Sequence, residues 1–169
     1  MNMKKYKFVL LFSIITMVAS IILGIVLSSC KYDEAKLISL GKIQYDKKNF
    51  KKAFTLYQIA IKKGSFVAKN NIGVMFLNGY GVEKNYLKAF KCFQEAALHD
   101  VSMANHNLGT MYATGRGIEQ DYKKAYEYFK KSADQGVFIS QLVISTCYQK
   151  VKDNIPKSQG LFWFSDVQD

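Results

Sequence analysis

Shifted by 36 positions, residues 68–97 of this chain fall on residues 104–133 without a gap. Ala68 meets Ala104, Asn71 meets Asn107, Gly73 meets Gly109 and Met75 meets Met111. Further along, Gly79 and Gly81 meet Gly115 and Gly117, Tyr86 meets Tyr122, Lys88-Ala89 meets Lys124-Ala125, and Phe93 meets Phe129. A period of this length marks a stacked array, in which each unit buries its apolar face only against its neighbours. Such arrays mostly bind other macromolecules, which turns the expectation toward an interaction surface and away from an enzyme.

Each unit predicts two helices joined by a glycine-rich turn. Between Val101 and Thr114, the residues Met103, Ala104, Leu108, Met111 and Tyr112 recur at three- and four-residue steps, which is one helical face. Gly115-Arg116-Gly117 ends that helix, because glycine accepts the positive φ of a tight exit. A second helix runs from Tyr122 to about Gln135, burying Ala125, Tyr126, Phe129 and Ala133, and Gly136 supplies the next stop. Gly109, Ala125 and Ala133 mark where two helices approach closely, with Tyr112, Tyr122 and Phe129 filling the space between them.

The pattern Ala-x-x-x-Leu-Gly-x-x-Tyr-x-x-Gly-x-Gly-Ile-x-x-Asp-Tyr-x-Lys-Ala-x-x-Tyr-Phe-x-x-Ser-Ala-x-x-Gly, read from Ala104 to Gly136, resembles the Sel-1-like repeat. That family is the branch of the tetratricopeptide superfamily with a longer turn inside the hairpin. The resemblance implies an all-α fold, an α-solenoid of antiparallel helix hairpins wound as a right-handed stack of about three and a half units. Residues 65–100 and 101–136 are the two full repeats. Upstream, in 35–64, Leu40-Gly41 is followed by Ala53, Tyr57 and Ala60 at the shorter spacing of a tetratricopeptide unit, with Asp46-Lys47-Lys48-Asn49 as its turn. Downstream, Ser140 to Gln149 resembles another first helix, with Tyr148 standing for Tyr112. There Lys152-Asp153-Asn154-Ile155-Pro156 replaces the Gly-x-Gly turn, and Trp163 and Phe164 fall on Tyr128 and Phe129. Residues 137–169 are therefore read as a degenerate or truncated repeat that caps the array.

In front of the array, Lys4, Lys5 and Lys7 precede a run without charge from Phe8 to Leu27, ending Leu27-Ser28-Ser29-Cys30. Basic, then apolar, then small residues are the layout of a secretory leader over residues 1–29. The last four residues resemble a bacterial lipobox, which implies a lipidated Cys30 as the new N-terminus. The competing reading is an uncleaved anchor helix, since twenty residues at about 1.5 Å each reach roughly 30 Å. Either way the domain is expected on the extracytoplasmic side of a bacterial envelope membrane, held by the short tether 30–34. By resemblance to lipoproteins, Lys31 after the cysteine points to the outer rather than the inner membrane.

The formal charge of +11 falls to +8 without the three leader lysines, and Arg116 is the one arginine. With no arginine stripe and no nucleic-acid motif, a nucleic-acid partner is not expected; attraction to anionic headgroups is the functional alternative to a merely solvated surface. Cys92 and Cys147 fall more than a unit apart, which predicts free thiols. His99 and His106 lie on different units without a third ligand, and no catalytic, metal or cofactor constellation stands out. The resemblance instead implies a concave face lined by first helices, which transfers to Lys42, Asn70, Val74, Asn78, His106, Thr110 and Thr114 as the partner-binding residues. The function expected is a membrane-tethered scaffold for an unknown protein or peptide, with a cell-surface factor in contact with a host, or an envelope enzyme acting on peptidoglycan, as the rival readings.

Overall fold

The computed structural model describes residues 33–154, together with Thr16, Met17 and Ser20. The segment that resembles a lipobox, ending at Cys30, and the segment 155–169, with Trp163 and Phe164, lie outside the described residues. Seven helices follow one another between residues 33 and 154: α1 (Glu34–Asp46), α2 (Phe50–Lys62), α3 (Phe66–Asn78), α4 (Tyr86–Leu98), α5 (Ser102–Thr114), α6 (Tyr122–Asp134) and α7 (Phe138–Asn154). Each packs on the next, most closely within the hairpins α1–α2, α3–α4 and α5–α6, and α7 closes on α6 as the first helix of a fourth unit.

The boundaries follow from local chemistry. Asn85 and Asp121, one period apart, each accept a hydrogen bond at 2.9 Å from the backbone three residues on, at Lys88 and Lys124. That satisfies an N–H that the first turn of a helix leaves without a partner. Gly79 and Gly115 end α3 and α5 in the left-handed conformation. At the corresponding place α7 has Val151, which cannot make that exit cheaply, and the helix runs on to 17 residues where the others have 13.

A glycine–aromatic lock holds each hairpin together. A Cβ built on Gly41, Gly73 or Gly109 would stand 2.4, 2.6 or 2.8 Å from the ring of Tyr57, Phe93 or Phe129 on the second helix. The close approach anticipated at Gly109 is thus helix backbone against an aromatic face, and the three rings are at most 5% exposed. Ala53, Ala89 and Ala125 complete this column with no exposure at all. In α7 the same position is Ser145, and it is exposed.

Two further contacts join unit to unit. The second helix of one hairpin reaches the first helix of the next through Phe54–Phe76, Phe90–Tyr112 and Tyr126–Tyr148, with ring centroids 5.9, 5.7 and 6.1 Å apart. Pairs of this kind add about 0.5–1.5 kcal/mol each beyond the area they bury. The second glycine of the turn lies against the preceding unit. At Gly81 a Cβ would meet Phe50 at 2.7 Å, and at Gly117 it would meet Tyr86 at 2.4 Å, each the first residue of the earlier second helix.

Candidate functional site

The stack presents two unlike faces. First helices α3 and α5 together carry one charged side chain, Lys69, which is ion-paired with Glu95 on α4. Their polar residues are asparagine, threonine, serine and histidine, so the row formed by these helices is polar without being charged. The expected binding residues Asn70, Val74 and Asn78 follow one another at four-residue steps on α3, as do His106, Thr110 and Thr114 on α5. Each set therefore shares one helical edge.

The structure divides that set. Asn70 is 6% exposed, and its Oδ1 accepts a hydrogen bond from Asn107 Nδ2 of α5 at 2.9 Å. His106, one period later, contacts Ser140 Oγ of α7 through Nδ1 at 2.9 Å. Both are joints between successive first helices. Asn70 is not open to a partner, and the half-buried His106 has one ring nitrogen engaged. Val74 and Thr110 are half-buried, while Asn78 and Thr114 are exposed. Neighbouring first helices thus meet near their N-terminal halves, and the row opens toward their C-terminal ends. Lys42, on α1, is exposed and paired with Asp46 at 3.1 Å.

The open residues have a defined chemistry. Asn78 Nδ2 donates to the Val74 carbonyl at 3.0 Å, Thr110 Oγ1 to that of His106 at 3.0 Å, and Thr114 Oγ1 to that of Thr110 at 2.7 Å. The threonine hydroxyl protons and one of the two Asn78 N–H groups are spent on their own helices, which leaves the three side-chain oxygens as acceptors. The row offers acceptors suited to a partner's N–H groups.

A chain of hydroxyls secures the last joint. Ser132 Oγ donates to the Ser102 carbonyl at 2.9 Å, and Ser140 Oγ donates to Ser132 Oγ at 2.9 Å. Ser140 then has only lone pairs left for His106, which assigns the imidazole proton to Nδ1. Burial pushes the His106 pKa below its ordinary 6.5, so the ring is neutral at pH 7. The repeat alignment places alanines at two of these positions one unit earlier, Ala96 and Ala104, and gives no hint that the serines would form a relay.

Among the described residues, the resolved shifts all point away from neutral-pH chemistry. Burial raises the thiols of Cys92 and Cys147, both free, and the phenols of Tyr45 and Tyr128. Burial, reinforced by Asp46 and Tyr45, pushes Tyr57 up to about 12. The backbone N–H of Lys124 leads the causes that lower Asp121. Each shift moves its group away from a working acid or base at pH 7. Among the described residues no three His, Cys, Asp or Glu side chains group as a metal site. A cleft of about 170 Å³ is lined by residues of α4, α5 and α6 and includes Asn105, whose Oδ1 is buried without a donor. That volume is below the roughly 300 Å³ at which small-molecule sites begin.

Comparison with known proteins agrees with this architecture. The chain is 28% identical to a Sel1 repeat protein from Oxalobacter formigenes, with a TM-score of 0.64 over 72% of this chain and 51% of that one. It is 26% identical to a protective antigen of uropathogenic Escherichia coli strains that displays an SLR fold, with a TM-score of 0.67 over 78% of this chain and 28% of that one. The chain therefore spans about half or less of the length of these two proteins. No curated protein matches it. The profile of the Sel1 repeat matches residues 39–65, 67–101 and 102–137, so the short-turned first unit is included with the other two. Since these matches cover more than half of its length, the chain belongs to the Sel1 repeat family, whose repeats are interaction scaffolds.

Proposed function

We propose that this protein is a non-enzymatic, membrane-tethered scaffold of a bacterial cell envelope that holds a protein partner on its first-helix row. The carrying observation is the uncharged stretch of the row on α3 and α5, which opens at Asn78 and Thr114 with their side-chain oxygens available as acceptors. Such a row matches a peptide segment that brings backbone or side-chain N–H groups. Tethering is supported by the uncharged run Phe8–Leu27 and by Cys30 after Leu27-Ser28-Ser29.

The test is photo-crosslinking in cells with the full-length chain, placing the reactive group at Val74, Asn78, Thr110 or Thr114, and separately at Gln58 and Gln94 on second helices. A partner recovered from the first four positions and not from the last two supports the reading; equal recovery from both sets refutes it. Tethering is tested independently, because Cys30→Ala is expected to abolish fatty-acid labelling, and label that persists rejects a lipidated Cys30. A second reading, display at the cell surface, draws on the likeness to a protective antigen. A tag at the tip of the α3–α4 turn that antibody reaches in intact cells favours it over a periplasmic placement.

A further inference from the structure

Charge separates between the two rows of helices. Lysine accumulates on the second helices, and only on the first of them is it unbalanced by acids. From Lys47 to Lys63 the chain carries six lysines and no acid, and all six are exposed. Four belong to α2 and its C-cap: Lys51, Lys52, Lys62 and Lys63. On the later second helices acids offset part of the excess. On α4, Lys88 and Lys91 stand with Glu95, which is engaged by Lys69. On α6, Glu127 and Asp134 alternate with lysines.

The same face leaves aliphatic side chains in water. Ile59 on α2 is 41% exposed, and Leu87 and Leu98 on α4 are 54% and 81% exposed. The repeat register places Leu87 in the column of Lys51 and Leu98 in the column of Lys62. Basic and aliphatic groups therefore share positions on one surface. Partners differ in what they ask of such a surface. A nucleic acid favours arginine forks and exposed rings for stacking, yet the chain has one arginine, and the rings Phe54, Phe90 and Tyr126 are occupied between units. An acidic protein accounts for the lysines and leaves Leu98 without a role. A bilayer uses both, since lysine is drawn to anionic headgroups while short aliphatic groups enter the boundary with the acyl chains.

We infer that the second-helix face, centred on α2, docks on an anionic phospholipid bilayer, leaving the uncharged row of α3 and α5 for the protein partner. The inference stands on the described helices and holds whether or not the leader inserts. It gives the face an orientation relative to the membrane, which a tether alone does not.

The experiment is lysine footprinting by amine acetylation and peptide mass spectrometry, with the full-length chain reconstituted in phosphatidylcholine vesicles, or in vesicles of one-third phosphatidylglycerol and two-thirds phosphatidylcholine. One lysine held at an anionic surface corresponds to about a fivefold change in occupancy. Lys51, Lys52 and Lys62 are expected to react at least about fivefold more slowly on the anionic vesicles, with Lys42 of the same unit unchanged and the protection lost at high salt. Equal rates on both vesicles, or equal protection of Lys42, overturns the inference. Protection of the same size by a single-stranded RNA with neutral vesicles reassigns the face to polyanions in general and also overturns it. Flotation with the neutral vesicles reports the leader separately, so failure of tethering and failure of the docking face are distinguishable.

Discussion

Replacing the lock glycines tests whether an aromatic ring, rather than the helix backbone, excludes a side chain from the first helices. At Gly109 a new Cβ would lie 2.8, 2.9 and 3.0 Å from three carbons of Phe129, a ring only 5% exposed with little room to retreat. Overpacking of this kind costs about 1–3 kcal/mol, while alanine in place of glycine returns roughly 1 kcal/mol of helix propensity. The difference is a loss of up to about 2 kcal/mol, and a Cβ under 3.0 Å from a buried ring places Gly109→Ala in the upper half of that range; the loss should grow through Gly73→Ala to Gly41→Ala as the clash tightens to 2.6 and 2.4 Å. For a domain of this size that is a fall of about 3–5 °C in melting temperature per kcal/mol. Thermal unfolding of the three variants gives the ranking, and a double-mutant cycle with Phe129→Leu gives the cause. Making room at the ring should recover about 1 kcal/mol of the Gly109→Ala loss. A Gly109→Ala protein that melts at or above the parent would show that helix propensity prevails, and the lock as described would be wrong.

Gly117→Ala combines a left-handed φ of 74° with a collision against Tyr86 at 2.4 Å and should cost more than about 2 kcal/mol. Gly136→Ala, with a φ of 86° but open space around it, should cost only about 1 kcal/mol, and parallel melts compare the two. His106 supplies a pH dependence. Its folded pKa lies below 6.5, so the stability it confers is complete above 6.5 and is lost as pH falls through the folded value. His106→Gln, which keeps a donor for Ser140 and does not titrate, should flatten the melting-temperature profile between neutral pH and about pH 5; an unchanged slope refutes the assignment. Asp121→Ala removes the side-chain cap of α6 and should cost about 1 kcal/mol in the same melts.

The hairpins and their turns were legible because the period appears twice without a gap, so that chance matches average out and Gly79, Gly115 and the alanine columns stand clear. The fourth first helix was legible from the register of Ser140 to Gln149, with Tyr148 standing for Tyr112, and the structure gives that ring its partner in Tyr126. The joints were not. Helical spacing puts Asn70 beside Val74 and Asn78, but it carries no information on where along its length the next first helix crosses. Asn70 and His106 thus read as open surface and turn out to be fasteners. The second turn glycine was equally opaque, because its reason is Phe50 or Tyr86 of another unit. The charge of the chain was visible as a total, whereas its concentration on α2 and the exposure of Leu87 and Leu98 beside it depend on which helix row faces out.

Because α7 keeps the inter-unit aromatic contact through Tyr148 but has Ser145 in place of the lock glycine and Val151 in place of the helix stop, it can follow a unit without offering a second helix the seat that Gly109 gives Phe129. A copy of residues 101–136 spliced in before α7 would meet familiar partners on both sides, Phe90 giving way to a second Tyr126 against a Tyr112. The same copy joined after α7 would set a first helix beside a first helix, and a second helix joined there would find neither the glycine nor the left-handed exit. Lengthening by gene duplication is therefore easy in the interior and obstructed at this helix, so the array has a direction of growth written into three side chains.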